Sequence, residues 1–206
     1  MEGKTHVGLG IFTYVFSWGK LPGKFNVIGL IIAALIALLP DIDHPKGIIN
    51  QYILPIKDKT TKMFIYICIA SVILWLDYNY FKEPALQCLS MFLFCAGVNS
   101  HRNGISHSLA GLTIFTVIAS YFGERYNADF VVTAVFLGYG SHLIGDMFTK
   151  HGVPLLYPFS NKKYKMPLTY KVGSKDGKLI EKFILLAIFG YILYILTGPE
   201  RMMWYV

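Results

Sequence analysis

The sequence predicts an all-α fold, a polytopic bundle of six or seven transmembrane helices with its polar site at one membrane face. Three observations lead to this prediction. Hydrophobic residues make up 54% of the 206 residues, and the mean hydropathy is +0.49. Charged residues make up only 15%, against about 25% in a soluble domain. The missing charge falls into seven separate runs. The length fits one integral-membrane domain, which we expect to cover residues 1–206.

The seven uncharged runs predict the helices in chain order. Since a spanning helix needs about 20 residues, lysines at run ends, such as Lys62 and Lys182, must snorkel to extend several runs. The first run also fits a re-entrant or interfacial helix, because it starts with polar residues and contains Gly8 and Gly10. The alternative, a very apolar soluble core, leaves too little charge to cover its surface. The runs are 14 to 21 residues long and cover 5–19, 25–40, 63–76, 84–100, 103–123, 130–145 and 183–199.

Charge counting predicts the orientation. If all seven runs span, 14 of the 19 Lys and Arg residues fall on one side of the membrane. The positive-inside rule places that side in the cytoplasm. It includes 146–182, a basic polar segment that we expect to cap this face. The net charge of +7 therefore fits membrane lipid as the partner, and we find no nucleic-acid motif.

Ionisable residues near membrane depth are functional candidates, and the first group ends the second run. Asp41 and Asp43 follow Pro40, where a turned backbone lets two carboxylates converge on one metal ion or bridge two. The alternative is a solvated pair at a helix end. Three other acidic residues, Asp58, Asp77 and Asp129, have no comparable polar neighbours in the sequence and are expected to be solvated at the interface. The three cysteines lie within apolar runs and are expected to be buried.

A second group joins the fourth and fifth runs and combines imidazole, guanidinium and hydroxyl groups. It contains His101, Arg102, Ser106, His107 and Ser108. We expect Ser106 to cap the following helix, which would place His107 in its first turn. The alternative is a polar turn between two helices.

A third group closes the sixth run. His142 and Asp146 are four residues apart, so they share one helix face and can bind one metal or only each other. Thr149 follows them, and His6 begins the first run alone. The charge-derived topology, in which these residues played no part, puts all the candidate ligands at one membrane face. They are His6, Asp41, Asp43, His101, His107, His142 and Asp146.

Four imidazoles and three carboxylates suffice for two divalent ions with positions left open for water. Nitrogen and oxygen ligands without thiolate suit Zn, Mn or Fe, and Mg is less suited because of the number of histidines. Two such ions can activate water and neutralise a leaving oxygen. Arg102 is the candidate clamp for an anionic substrate. Ser106, Ser108 and Thr149 are candidates for orienting ligands or bonding the substrate.

These motifs, together with Leu155 to Phe159, resemble the YdjM-like family of LexA-regulated, inner-membrane, metal-dependent hydrolases. The resemblance covers about residues 5–160. It implies a multi-helix protein of the bacterial inner membrane and a metal-dependent hydrolase. The stretch 162–182 and the last helix match no motif of the family.

The favoured function is a membrane-bound hydrolase, acting at the cytoplasmic face on a phosphate ester such as a phospholipid or another lipid phosphate. A divalent metal-ion transporter or channel is the first alternative. It would place its site near the midplane, often with repeat symmetry, whereas the polar residues here fall at helix ends. A non-catalytic scaffold with a structural metal is the second alternative, and full coordination of the metal would favour it.

Overall fold

The computed structural model describes residues 1–18, 20, 25–41, 59–98 and 104–197. Every regular element within these residues is helical, apart from two isolated β-bridges. The prediction of an all-α fold with six or seven helices is therefore confirmed. The described part of the chain contains seven α-helices, which are α1 (Gly3–Ser17), α2 (Val27–Ile36), α3 (Lys59–Leu76), α4 (Pro84–Val98), α5 (Leu109–Tyr126), α6 (Phe130–Met147) and α7 (Lys175–Thr197).

Among the described residues, three helical segments are long and apolar enough to cross a membrane: Met63–Phe81, Phe130–Met147 and Lys175–Thr197. The first of these is α3 with the π-helical turn that follows it. Shorter apolar helical segments cover Val27–Asp41 and Pro84–Cys95. Large apolar side chains are exposed along α7, which fits contact with lipid rather than water.

Small residues let the central helices approach closely, as is common between membrane helices. A Cβ on Gly138 in α6 would lie 2.5 Å from the carbonyl oxygen of Ala33 in α2. A Cβ on Gly10 in α1 would lie 2.7 Å from the same oxygen. Helix α1 thus packs inside the bundle, against α2, α6 and α7. Beside them, Tyr139 and Phe92 belong to the main apolar core.

Two expectations about burial are wrong. Asp77 is 1% exposed, because its carboxylate accepts hydrogen bonds from the backbone N–H of Glu83 at 2.6 Å and from Gln87 Nε2 at 2.9 Å. It thereby closes the reversal between α3 and α4. Cys68 and Cys88 are exposed, since they occupy outward faces of apolar helices where lipid takes the place of a protein core.

The basic capping segment is shorter than 146–182, because α6 continues to Met147 and α7 begins at Lys175. The non-helical part folds back on itself through an antiparallel bridge between Val153 and Tyr164. The carbonyl of Leu155 then accepts a hydrogen bond from the first residue of α5, Leu109, at 2.9 Å. The segment therefore packs where α5 begins.

Candidate metal centre

The start of α1, the turn after α2, the turn before α5 and the end of α6 meet at one place. Five of the seven predicted ligands come together there. Asp43 and His101, and with them Arg102 and Asp58, lie outside the described residues. The five are His6 in the first turn of α1, Asp41 in the 3-10 turn after α2, His107 in the 3-10 turn before α5, and His142 with Asp146 near the end of α6.

These side chains are buried and close enough to share metal ions. His6, His107, His142 and Asp146 have no exposed surface, and Asp41 is 9% exposed. Two groups of three donor atoms each lie within 4.8 Å of one another: His6 with His142 and Asp146, and Asp41 with His107 and His142. His142 belongs to both groups, so the five residues form one continuous cluster.

Asp146 lies at the middle of this cluster. Its Oδ1 is 3.4 Å from His6 Nε2 and also contacts the amino group of Met1. Its Oδ2 lies 3.7 Å from His107 Nε2 and 3.9 Å from His142 Nε2. Because the two oxygens face different histidines, this carboxylate could hold a metal ion together with His6 on one side and with His107 on the other.

A backbone contact fixes the His142 ring. Its Nδ1 lies 2.8 Å from the carbonyl oxygen of Ala37. A carbonyl only accepts, so Nδ1 carries the proton and the lone pair of the neutral ring is on Nε2. That nitrogen faces His107 Nε2 at 3.4 Å. Such an outer contact is how proteins orient metal-binding histidines.

The His6 ring supports a metal site most directly. The ring is fully buried, and Nδ1 forms no hydrogen bond within the part of the chain that the structure describes, while Nε2 has only the 3.4 Å contact with the Asp146 carboxylate there. Buried polar atoms without hydrogen bonds are rare in proteins. A metal ion would supply the missing partner. The nitrogen and oxygen donors fit Zn, Mn or Fe by their chemistry.

Hydroxyl groups contact two of the candidate ligands. Ser106 Oγ lies 3.2 Å from His107 Nδ1, and Thr149 Oγ1 donates to the carbonyl of Asp146 at 2.8 Å. The prediction that Ser106 caps α5 is wrong. Ser108 is the cap, since its Oγ accepts from the N–H of Gly111 at 3.3 Å. His107 therefore precedes the helix.

Sequence reasoning missed a third buried carboxylate, which lies beside the two of the cluster. Glu181 in α7 is 1% exposed and accepts hydrogen bonds from Thr5 and Tyr170. Burial and the nearby Glu181 carboxylate raise the pKa of Tyr170 well above its ordinary value, so its hydroxyl stays a donor. The available signal was an acidic residue two positions before the last apolar run.

The fold and the site define a helical membrane protein with a buried His/Asp cluster at one end of its bundle. The chain matches the family described as "YdjM inner membrane protein" over residues 1–202. It belongs to that family, as the motifs of the sequence had indicated.

Named relatives agree with this membership. The chain is 27% identical over 161 residues to "Inner membrane protein YdjM" of Escherichia coli (strain K12) and of Shigella flexneri, covering 76% of this chain. The match spans 61% of the length of those relatives. "Uncharacterized protein YvsG" of Bacillus subtilis (strain 168) is 32% identical over 184 residues, with 87% of each chain covered. No solved structure matches the chain.

Proposed function

We propose that the protein is a metal-dependent hydrolase of the inner membrane that acts at the cytoplasmic face on a phosphate ester of a lipid. The observation that carries the proposal is the cluster of five buried His and Asp side chains, in which the His6 nitrogens form no hydrogen bond within the described residues. A metal ion held by this ring and by Asp146, whose Oδ1 lies 3.4 Å from His6 Nε2, would give these buried groups a partner.

Two ions fit the donor set. His6 and Asp146 Oδ1 would bind one ion. Asp41 and His107 would bind the other, and Asp146 Oδ2 faces this second pair. His142 offers a single lone pair, on Nε2, so it can serve only one of them. Asp43 and His101 would complete the set. When bound, such ions supply Lewis acidity and lower the pKa of a coordinated water to near neutrality.

The protein's own residues would orient and isolate this chemistry. The carbonyl of Ala37 and the hydroxyl of Ser106 hold the rings of His142 and His107. Full burial of the central carboxylate strengthens its electrostatic interactions. Arg102 would clamp two phosphate oxygens with its planar fork.

A lipid phosphate is the substrate class that the site's surroundings favour. In the capping segment, Phe159 is 94% exposed and Leu168 is 82% exposed. The basic side chains of Lys162, Lys163 and Lys165 are exposed in the same segment. Apolar tips beside cations match an anionic amphiphile at the headgroup layer.

The test begins with the metal content of the detergent-purified protein, measured by mass spectrometry. We expect about two equivalents of Zn, Mn or Fe, and loss of them in the Asp41→Ala, His142→Ala double variant. The Asp129→Ala, His151→Ala double variant is the matched control, because both of its residues are exposed. No bound metal after reconstitution with each ion would overturn the proposal.

Phosphate release from lipid phosphates in mixed micelles tests the reaction itself. Release by the metal-loaded protein, absent in the Asp41→Ala, His142→Ala variant, supports the hydrolase. Metal uptake into proteoliposomes without hydrolysis would instead show a transporter. Bound metal with neither activity would show a structural ion.

A further inference from the structure

The carboxylate of Glu181 is buried between α7 and the start of α1. Its side chain is 1% exposed, on a helix whose apolar side chains otherwise face lipid. A buried carboxylate needs hydrogen-bond donors to offset its desolvation. The residues that supply these donors connect it to the metal centre.

Two of the three donors belong to α1. Glu181 Oε2 accepts from the backbone N–H of Glu2 at 3.0 Å and from the hydroxyl of Thr5 at 2.6 Å. Glu2 is the N-cap of α1, and its own side chain makes no capping hydrogen bond. Glu181 therefore places a carboxylate from another helix at this helix start, where the helix dipole favours negative charge.

The third donor comes from the capping segment. The hydroxyl of Tyr170 donates to Glu181 Oε1 at 3.1 Å. The backbone of Tyr170 is in turn bonded to the residues that follow Asp146: its N–H donates to Phe148 at 3.0 Å, and its carbonyl accepts from Lys150 at 3.0 Å. One carboxylate thus joins the segment before His6 to the segment after Asp146.

We propose that Glu181 is a positioning residue for the metal centre. Through Thr5 it fixes the rotation and height of α1, so that the adjacent His6 faces Asp146 and stacks on His142. This inference rests on the metal site of the proposed function. It predicts that Glu181 acts on metal affinity without touching the metal.

The test compares Glu181→Gln with Glu83→Gln. The glutamine keeps the shape of Glu181, but its N–H₂ group faces one of the groups that donate to the carboxylate and cannot accept that hydrogen bond. Glu83 is the matched control, since its carboxylate is also bonded by a tyrosine hydroxyl, that of Tyr121, and by Arg125. It lies at the far end of α5, on the order of 25 Å along the helix from His107.

We expect Glu181→Gln to raise the Kd for Zn²⁺ or Co²⁺ by about 10- to 100-fold, as for other outer contacts of metal ligands. The absorption spectrum of bound Co²⁺ should change as well. Glu83→Gln should leave both unchanged, whatever its effect on the thermal midpoint. Thr5→Val, which removes one hydroxyl only, should raise the Kd by about threefold to tenfold. Wild-type affinity and spectrum in Glu181→Gln, or equal losses in Glu83→Gln, would overturn the inference.

A second measurement separates this inference from the proposed function. The imidazole NMR resonances of His6 are recorded in metal-free protein and assigned with His6→Gln. They should shift in Glu181→Gln but not in Glu83→Gln, even if no variant binds metal. Failure of metal binding in the wild type then rejects the metal centre alone, whereas unshifted His6 resonances reject the positioning role.

Discussion

The imidazole rings of His6 and His142 stack, with centroids 3.8 Å apart and planes inclined by 16°. The two residues come from the first and sixth helices, and both are fully buried. Each presents its Nε2 to the carboxylate of Asp146, one to Oδ1 and the other towards Oδ2. The stack and this carboxylate therefore make one unit, and Asp146 is the residue on which the cluster depends most.

Asp146→Asn should abolish metal binding, whereas Asp41→Asn should remove only part of it. Asp146 lies near nitrogens of His6, His107 and His142 and so touches both groups of donors, whereas Asp41 belongs to one of the two groups and lies 3.5 Å from His107 Nε2. We expect bound metal to fall from about two equivalents to near zero in Asp146→Asn and to about one in Asp41→Asn. Mass spectrometry of the purified variants measures this.

The exposed Asp129 supplies the control for those two variants. Asp129→Asn removes a carboxylate of the same kind from the helix start of α6, and its metal content should equal that of the wild type. If Asp41→Asn lost all of its bound metal and Asp146→Asn kept all of it, the central place of Asp146 would be contradicted.

Gly138→Ala should destabilise the bundle, and Gly140→Ala should not. The new Cβ at Gly138 would lie 2.5 Å from the backbone oxygen of Ala33, which cannot move aside alone, whereas at Gly140 nothing lies within 4 Å. Overpacking of this kind costs about 1–3 kcal/mol. The thermal midpoint in detergent should fall by several degrees for Gly138→Ala and stay or rise for Gly140→Ala. Equal midpoints would show that α2 and α6 are not closely packed there.

Substituting the two serines beside His107 one at a time should distinguish helix capping from orientation of the His107 ring. Ser108→Ala removes the cap of α5 and should lower stability by about 0.5–2 kcal/mol, with metal stoichiometry retained. Ser106→Ala removes the contact with His107 Nδ1 and should weaken metal affinity by about 10-fold with a smaller change in stability. Thermal unfolding and metal titration of both variants measure these effects. The opposite pattern would make Ser108 the residue that serves the site.

The helices and the meeting of the ligands could be predicted because both follow from local patterns. Uncharged runs mark the helices, and the alternation of their directions brings the start of α1 and the end of α6 to one face. His6 could thus be assigned to the same place as His142 before any contact was known, although no spacing in the sequence links the two residues.

Burial and hydrogen-bond partners could not be predicted in the same way, since they depend on which helix faces which. Asp77 and Glu181 are similar acidic residues at the borders of apolar runs, and only the packing shows that both are buried. The cap of α5 was misassigned by two residues, because Ser106 and Ser108 have the same chemistry and only the backbone before Leu109 decides between them.

The charge distribution predicts that the site faces the cytoplasm, and cysteine labelling can decide this. Cys68, Cys88 and Cys95 are first replaced by alanine, which should be tolerated because none is buried. Lys163→Cys then marks the capping segment, and Glu124→Cys marks the opposite end of the bundle, near the end of α5. Both positions are exposed.

In intact spheroplasts, a membrane-impermeant maleimide should label Glu124→Cys and leave Lys163→Cys unmodified. Disrupting the membrane should then make Lys163→Cys reactive as well. The physical reason is the excess of Lys and Arg on the Lys163 side, which the positive-inside rule retains in the cytoplasm. Labelling of Lys163→Cys alone in intact spheroplasts would reverse the orientation. The cluster would then face the outer side of the membrane, where any lipid phosphate substrate would have to come from the other leaflet.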